Sequence, residues 1–290
     1  MVELNLLEGF EKLRPIPVTL TRVMGLLAES ESDLQEIAEI VRVDEAISLA
    51  VLRRANSAAY GVPGREFNLR EAVVRLGSKG LSKVVLEQQT LEVFDGDLDA
   101  FGLRRGAMWR GAISGALAAE SLARIHAPGK EELCFVCALL RDVGKLLLDA
   151  RHGAEYEPMV KPHLNKNTSF CEAERAAYGS DHAQIGSAMT AHWGLPSQVS
   201  QAIATHHEPP APDSDGHSLI FDIVHAADII CLWGGLSIGS DGMQYRLSPH
   251  VRESLSLNSK SADLEITRMW TNLRKIEETL DPQQIERQTA

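Results

Sequence analysis

The chain has 290 residues, 44% apolar and 24% charged, enough to bury a substantial core in one large or two modest domains. Its formal net charge of -11 argues against a protein that coats nucleic acid or docks on an anionic membrane, although a local basic patch stays open. The first ten residues lack the charged start and long apolar run of a signal peptide, and the most apolar stretch, 132–148, is interrupted by Arg141 and Asp142, so a cytoplasmic chain with no membrane span is expected.

In chain order, almost every segment carries helical periodicity, and no strand pattern or internal repeat stands out. Leu34, Ile37, Ile40 and Val41 share a face, with Ser32 or Asp33 as the N-cap. A helix follows from Asp44, turning Ile47, Val51 and Leu52 inward, with Gly61 as its stop. The stretch "VPGREFN" is a loop by its Pro and Gly content; Asn68 and Glu71 then form a capping-box arrangement. Gly77 and Gly80 punctuate "RLGSKG", which sits between helices and predicts a helix turn rather than a phosphate loop. The acidic segment Asp95–Gly102 marks a boundary, dividing the chain into lobes over 1–95 and 96–280 with a polar tail, 281–290.

The second half opens with a helix rich in small residues, 107–125, which permits close packing. The stretch 132–148 is apolar nearly all round and predicts one central helix. Ser180 or Asp181 caps a helix that stops at Gly194, Pro196 starts another, and 208–216 is a loop. Two more helices cover 217–233 and 263–280. Cys134 and Cys137 form a C-x-x-C without a second pair, and Cys171 and Cys231 stand alone, so buried helix thiols are expected rather than a zinc site.

Arg110, Arg141, Asp142, His182, His206, His207 and Asp228 interrupt otherwise apolar helices. A buried ionised group is costly unless it is paired or metal-bound, so several of them on separate helices point to convergence. Imidazoles with carboxylates suit manganese, iron or zinc, which can activate water against a phosphoester. Simpler roles stand beside this one. Asp142 could lie exposed at a helix end, with Gly144 as breaker and Lys145 as a surface charge. His206 and His207 close a helix, where imidazolium meets the dipole favourably. His182 stands in a first turn, where a cation is disfavoured, which leans towards a hydrogen-bonding or ligand role. His192 and Trp193 suit packing, and His217 and His225 suggest no ligand geometry.

"LRPIPVTLTRVMGLL", "RVDEAISLAVLRRANSAAYG" and "FNLREAVVRLGSKGLSKVV" are followed by "LLRDVGKLLL", "GSDHAQIG…HWGLP…HH" and "HAADIIC". Together these resemble the HDOD family, bacterial signalling proteins related to the HD phosphohydrolases, over about nine-tenths of the chain. The resemblance implies an all-α fold of two helical lobes, the second a degenerate HD-like bundle. In the catalytic relatives a histidine, a His-Asp pair, further histidines and a last aspartate surround the metal. Carried over by position, these fall at or near Arg110, on Arg141-Asp142, on His182 and His206-His207, and on Asp228. Two positions are therefore arginine.

Guanidinium stays protonated and offers no lone pair. At an effective dielectric of about 20 it would repel a nearby divalent cation by several kcal/mol. Arg141 or Arg110 is expected instead to pair with Asp142 or Asp228 in a buried charge-assisted bridge. The expected function is a non-catalytic regulatory module with no cofactor. Its partner would be a protein or small ligand: a receiver, kinase or cyclic-dinucleotide protein of a two-component or cyclic-dinucleotide circuit. The alternative is a metal-dependent phosphohydrolase using Asp142, His182, His206, His207 and Asp228 with residual manganese, iron or zinc. In the first half, Asn56, Ser57 and Tyr60 predict a polar cluster that caps a helix and holds the following loop. Arg53, Arg54, Arg65, Arg70, Arg75, Lys79 and Lys83 read as a solvated face, with an acidic partner or nucleic acid left open.

Overall fold

The computed structural model describes residues 6–13, 17–28, 34–165, 168–240 and 245–280. The expected N-caps Ser32 and Asp33 and the tail 281–290 lie outside these residues. Among the described residues the regular structure is helical, with two isolated bridges, Val62 with Arg65 and Leu98 with Leu103. The first half holds α1 (Val18–Ala28), α2 (Leu34–Val43), α3 (Glu45–Asn56) and α4 (Leu69–Val93). The second half holds α5 (Ala107–His126), α6 (Glu131–Leu140), α7 (Gly144–His152), α8 (Tyr156–Val160), α9 (Phe170–Tyr178), α10 (His182–His192), α11 (Ser197–Thr205), α12 (Leu219–Trp233), α13 (Pro249–Ser254) and α14 (Ser259–Glu277). One apolar core runs through both halves, from Leu20 on α1 to Leu280 beyond α14.

Local chemistry sets the helix starts. Asp44 caps α3 by accepting from Ile47 N, and Asn68 and Glu71 form the expected capping box on α4. Asp181, not Ser180, caps α10, in a reciprocal pair with Gln184. The helix α3 stops at Asn56, short of Gly61. From the last position of α3, the Asn56 side chain holds the next loop from both sides, accepting from Phe67 N and donating to Phe67 O, while Ser57 Oγ at the C-cap donates to Arg54 O. The Tyr60 side chain does not join them: it is exposed, and the residue ties in through its backbone, its N–H donating to Ser57 O at 3.1 Å and its carbonyl accepting from Arg75. Gly77 sits at φ 64° and kinks α4, but Gly80 continues the helix.

The apolar run 132–148 is two helices rather than one. α6 ends at Leu140, and α7 starts at Gly144. Bonds from Val143 N to Leu140 O (2.9 Å) and from Lys145 N to Asp142 O (2.9 Å) tighten the corner between them. That corner presents Arg141 and Asp142 to the interior. Gly144 is required there by close approach: a Cβ would lie 1.9 Å from the His182 carbonyl oxygen. The missing side chain brings the start of α7 against the start of α10.

Candidate functional site

Arg141 is fully buried at the corner between α6 and α7. Its Nε donates to Asp228 Oδ1 on α12 at 2.7 Å and lies 3.3 Å from Asp142 Oδ2. The Nη atoms donate to the carbonyls of Ala138 (2.9 Å) and of Gly111 on α5 (3.2 and 3.3 Å). Gly115, one turn further along α5, leaves the room: a Cβ there would stand 2.1 Å from Arg141 Nη1. The second oxygen of Asp142 is held by Lys145 Nζ at 2.9 Å. Two carboxylates thus face two cations inside one low-dielectric pocket. Burial alone would depress the Arg141 pKa, but Asp142 and Asp228 reverse this and raise it. Burial would likewise raise Asp142, yet Lys145 and Arg141 pull it far below the carboxylate range.

The histidines form a chain beside this cluster. His182, buried at the first position of α10, places both its backbone N (2.9 Å) and Nδ1 (2.7 Å) on Glu174 of α9. Glu174 also accepts from the Tyr156 hydroxyl. Burial opposes a charge on His182, but Glu174 outweighs it, so the His182 pKa is raised. Its Nε2 lies 2.9 Å from His207 Nε2. The second ring nitrogen of His207, Nδ1, points at Asp228 Oδ2 at 3.6 Å, and Tyr245 stacks flat on the ring at 3.7 Å. His206 donates from Nδ1 to Ile203 O at 2.7 Å, which leaves Nε2 as a buried lone pair without a hydrogen-bond partner. Burial pushes His206 down to about 4 and His207 well below its ordinary value. Both rings are therefore neutral at pH 7.

The structure thus brings together Arg141, Asp142, His182, His206, His207 and Asp228, all six from the second half. It does not bring Arg110 there. Arg110 faces α14 instead, half-exposed, with Nε 2.8 Å from Glu277 and its guanidinium over the Trp270 ring at 5.9 Å. The carry-over by position fails at Arg110 because the neighbouring face of α5, at Gly111 and Gly115, is the one turned to Arg141. Asp142 is buried, only 8% exposed, which removes the helix-end reading, and Lys145 is buried rather than a surface charge.

Some participants were not visible in the sequence. Glu174 and Tyr156 lie in unremarkable amphipathic stretches. Phe101, in the acidic linker between α4 and α5, packs 6.4 Å from the His182 ring and under Lys145 Nζ at 5.3 Å. His225 is buried but has both nitrogens engaged, donating to His206 O at 2.8 Å and accepting from Ser248 N at 3.0 Å. His217 lies beside Asp222 at 3.2 Å, away from the cluster. Elsewhere, the four cysteines are free and buried as expected, with the Cys134 thiol pushed up to about 12 by burial.

A divalent metal in the manner of the HD enzymes needs Asp142 and Asp228 free to ligate. Here the Arg141 guanidinium lies between them, and Lys145 takes the remaining Asp142 oxygen. Of the four carboxylate oxygens only Asp228 Oδ2 is left without a hydrogen bond, so the pair does not offer a metal the two free oxygens it would need. Asp142, His182, His206 and His207 still place one ligand-type atom each within 4.8 Å of the others.

Comparison with known proteins agrees with the helical architecture. A curated protein of Treponema pallidum (strain Nichols), itself uncharacterized, is 23% identical over 225 residues, 77% of this chain but 43% of its own length. The chain thus spans less than half of that relative. The crystal structure of an HDOD domain protein of unknown function from Geobacter sulfurreducens superposes with a TM-score of 0.68 at 22% identity, covering 98% of this chain and 95% of that one. A candidate signal transduction protein of Marinobacter aquaeolei VT8 superposes with a TM-score of 0.70 at 19% identity, over 96% of this chain and 61% of that one. At these identities the structures speak for the fold alone. The sequence model of the HDOD domain matches residues 13–209, so helical fold and sequence converge: the chain belongs to the HDOD family.

Proposed function

We propose that this chain is a non-catalytic signalling module in which an internal ion cluster stands where HD enzymes hold their metal. The observation that carries this reading is the place of Arg141, a cation with no lone pair lodged between the two carboxylates a metal would need. Its charge is balanced and its donors are used, so it does not depend on a ligand to be stable there. The module acts by binding another signalling protein or a small ligand. Family membership and a neighbour named for signal transduction support a bacterial two-component or cyclic-dinucleotide circuit. A receiver, kinase or cyclic-dinucleotide protein is the partner class, in the cytoplasm; among the described residues no helix is long and apolar enough to cross a membrane.

Elemental analysis of the purified chain tests this, paired with assays of nucleotide and cyclic-dinucleotide hydrolysis in added manganese. Metal content far below one ion per chain, with no hydrolysis, is the expected result. Stoichiometric manganese, iron or zinc that disappears in Asp142→Ala would sink the reading. One observation favours a second reading, a residual metal on the histidine side: the orphaned His206 Nε2, within reach of Asp142, His182 and His207. The phosphohydrolase alternative needs that ion, and hydrolysis lost in Asp142→Ala is its signature.

A further inference from the structure

A cavity of about 650 Å³ opens between the last turn of α12, α13 and the first turns of α14. None of the charge-cluster residues lines it. Its volume falls within the range of about 300–1,000 Å³ typical of small-molecule sites. Trp233, Leu247, Leu257 and Ile266 supply apolar wall, and Arg252 and Asp263 supply charge.

Two features mark it as more than a surface dent. Trp233 leaves 43% of its surface in water although its helix end is firmly held. The Trp270 indole donates to Gly234 O at 3.0 Å, and Met269 lies so close that a Cβ on Gly234 would meet it at 2.7 Å. The backbone that carries this large aromatic face is thus pinned rather than frayed, which lowers the ordering cost of anything that stacks on it. The second feature is Arg252. Arg105, Arg110 and Arg268 each pair with a carboxylate, but Arg252 makes no ion pair or side-chain hydrogen bond among the described residues. With no carboxylate on it among the described residues, this exposed cation beside an apolar wall, in a chain of net charge -11, is complementary to an anion. Asp263 shares the cavity, so a bare inorganic anion would also meet a like charge. An anion carried on an apolar body, with a hydrogen-bond donor for Asp263, satisfies all the lining groups.

We propose that this cavity binds a small organic anion, its aromatic or acyl body against Trp233, Leu247, Leu257 and Ile266 and its carboxylate, sulfonate or phosphate at Arg252. This names a ligand site for the regulatory module of the preceding section. The site is also joined to the histidines. Leu247 precedes Ser248, whose N–H donates to His225 Nε2, and His225 in turn donates to His206 O.

Anilinonaphthalene sulfonate is the probe, an aromatic anion with one N–H donor; its neutral analogue, N-phenylnaphthylamine, lacks the sulfonate. Titrated into the full chain by fluorescence and calorimetry, the sulfonate should saturate at one site per chain. Arg252→Gln should weaken it about tenfold, the size of a charge-assisted contact, and leave the neutral analogue within about twofold. Trp233→Ala should weaken both probes; should its urea midpoint fall, Trp233→Leu replaces it with the same expectation. No saturable binding, or sulfonate affinity unchanged in Arg252→Gln, overturns the proposal. The cavity and the charge cluster share no residue, so metal content reports on the preceding reading and dye binding on this one.

Discussion

Replacing Arg141 by methionine keeps much of the side-chain volume and deletes the cation. The structure shows what is then left. Asp228 loses its 2.7 Å donor, Asp142 loses one of its two cations, and the Ala138 and Gly111 carbonyls lose the Nη donors. All of these groups are buried, so water cannot take over without opening the core. Removing one partner of such a pair costs about 3–5 kcal/mol, much of it from the carboxylate left buried and unpaired. Against a total stability of about 5–15 kcal/mol, that is a large share. Urea denaturation followed by far-UV circular dichroism should show a clear fall in the midpoint for Arg141→Met. The double variant Arg141→Met/Asp228→Asn should regain part of the loss, because the uncompensated charge is gone. If Arg141→Met lies within about 1 kcal/mol of the parent, or the double variant loses the sum of the two single losses, the guanidinium is not what holds the cluster together.

Further predictions concern the same region. Arg141→His removes the repelling charge and adds an imidazole, so zinc titrated calorimetrically should bind more tightly than to the parent; equal affinity would mean that the arginine is not what disfavours metal. Gly144→Ala forces a Cβ to 1.9 Å from the His182 carbonyl oxygen and should cost about 1–3 kcal/mol or more in urea unfolding, whereas a neutral result would show that α7 and α10 can part freely. Burial holds His206 at about 4 in the folded chain. Unfolded chains take up that proton from about pH 6.5 downward, so stability should fall by about 3 kcal/mol as pH drops from 6.5 to 4. His182, raised by Glu174, has the opposite sign: its contribution is complete below the ordinary histidine value and is lost as pH rises through the folded one. His206→Gln should flatten the acid side of the profile; an unchanged slope from pH 6.5 to 4 would place the effect elsewhere. Asn56→Ala should lose about 1–2 kcal/mol and speed proteolysis of the 57–67 loop, since the Asn56 side chain holds Phe67 through both N and O.

Helical class, most helix starts and the inward faces of the helices were legible in the sequence, because apolar periodicity and capping are local. Asn68 with Glu71 needs three residues of context, and Ile37, Ile40 and Val41 need one face. The same locality explains the misreadings. Nothing in "CALLRDVGKLLL" says that the chain turns a corner at Arg141. That corner depends on α10 arriving against Gly144 from about forty residues further on. Arg110 and Arg141 carried equal weight in the sequence, since both are arginines in apolar helices. Only the packing of α5 showed that its glycine face meets Arg141 while Arg110 turns to Glu277 on α14. Asp142, His182, His206, His207 and Asp228 were nameable in advance because charged and imidazole groups are rare in apolar helices. Their partners Glu174 and Lys145, and the cavity beside Trp233, were not. The sequence by itself determined which side chains would be expensive to bury; the tertiary structure alone decided which opposite charge each one meets. Pairing energy depends on distances across helices far apart in the chain, and no local pattern encodes those distances.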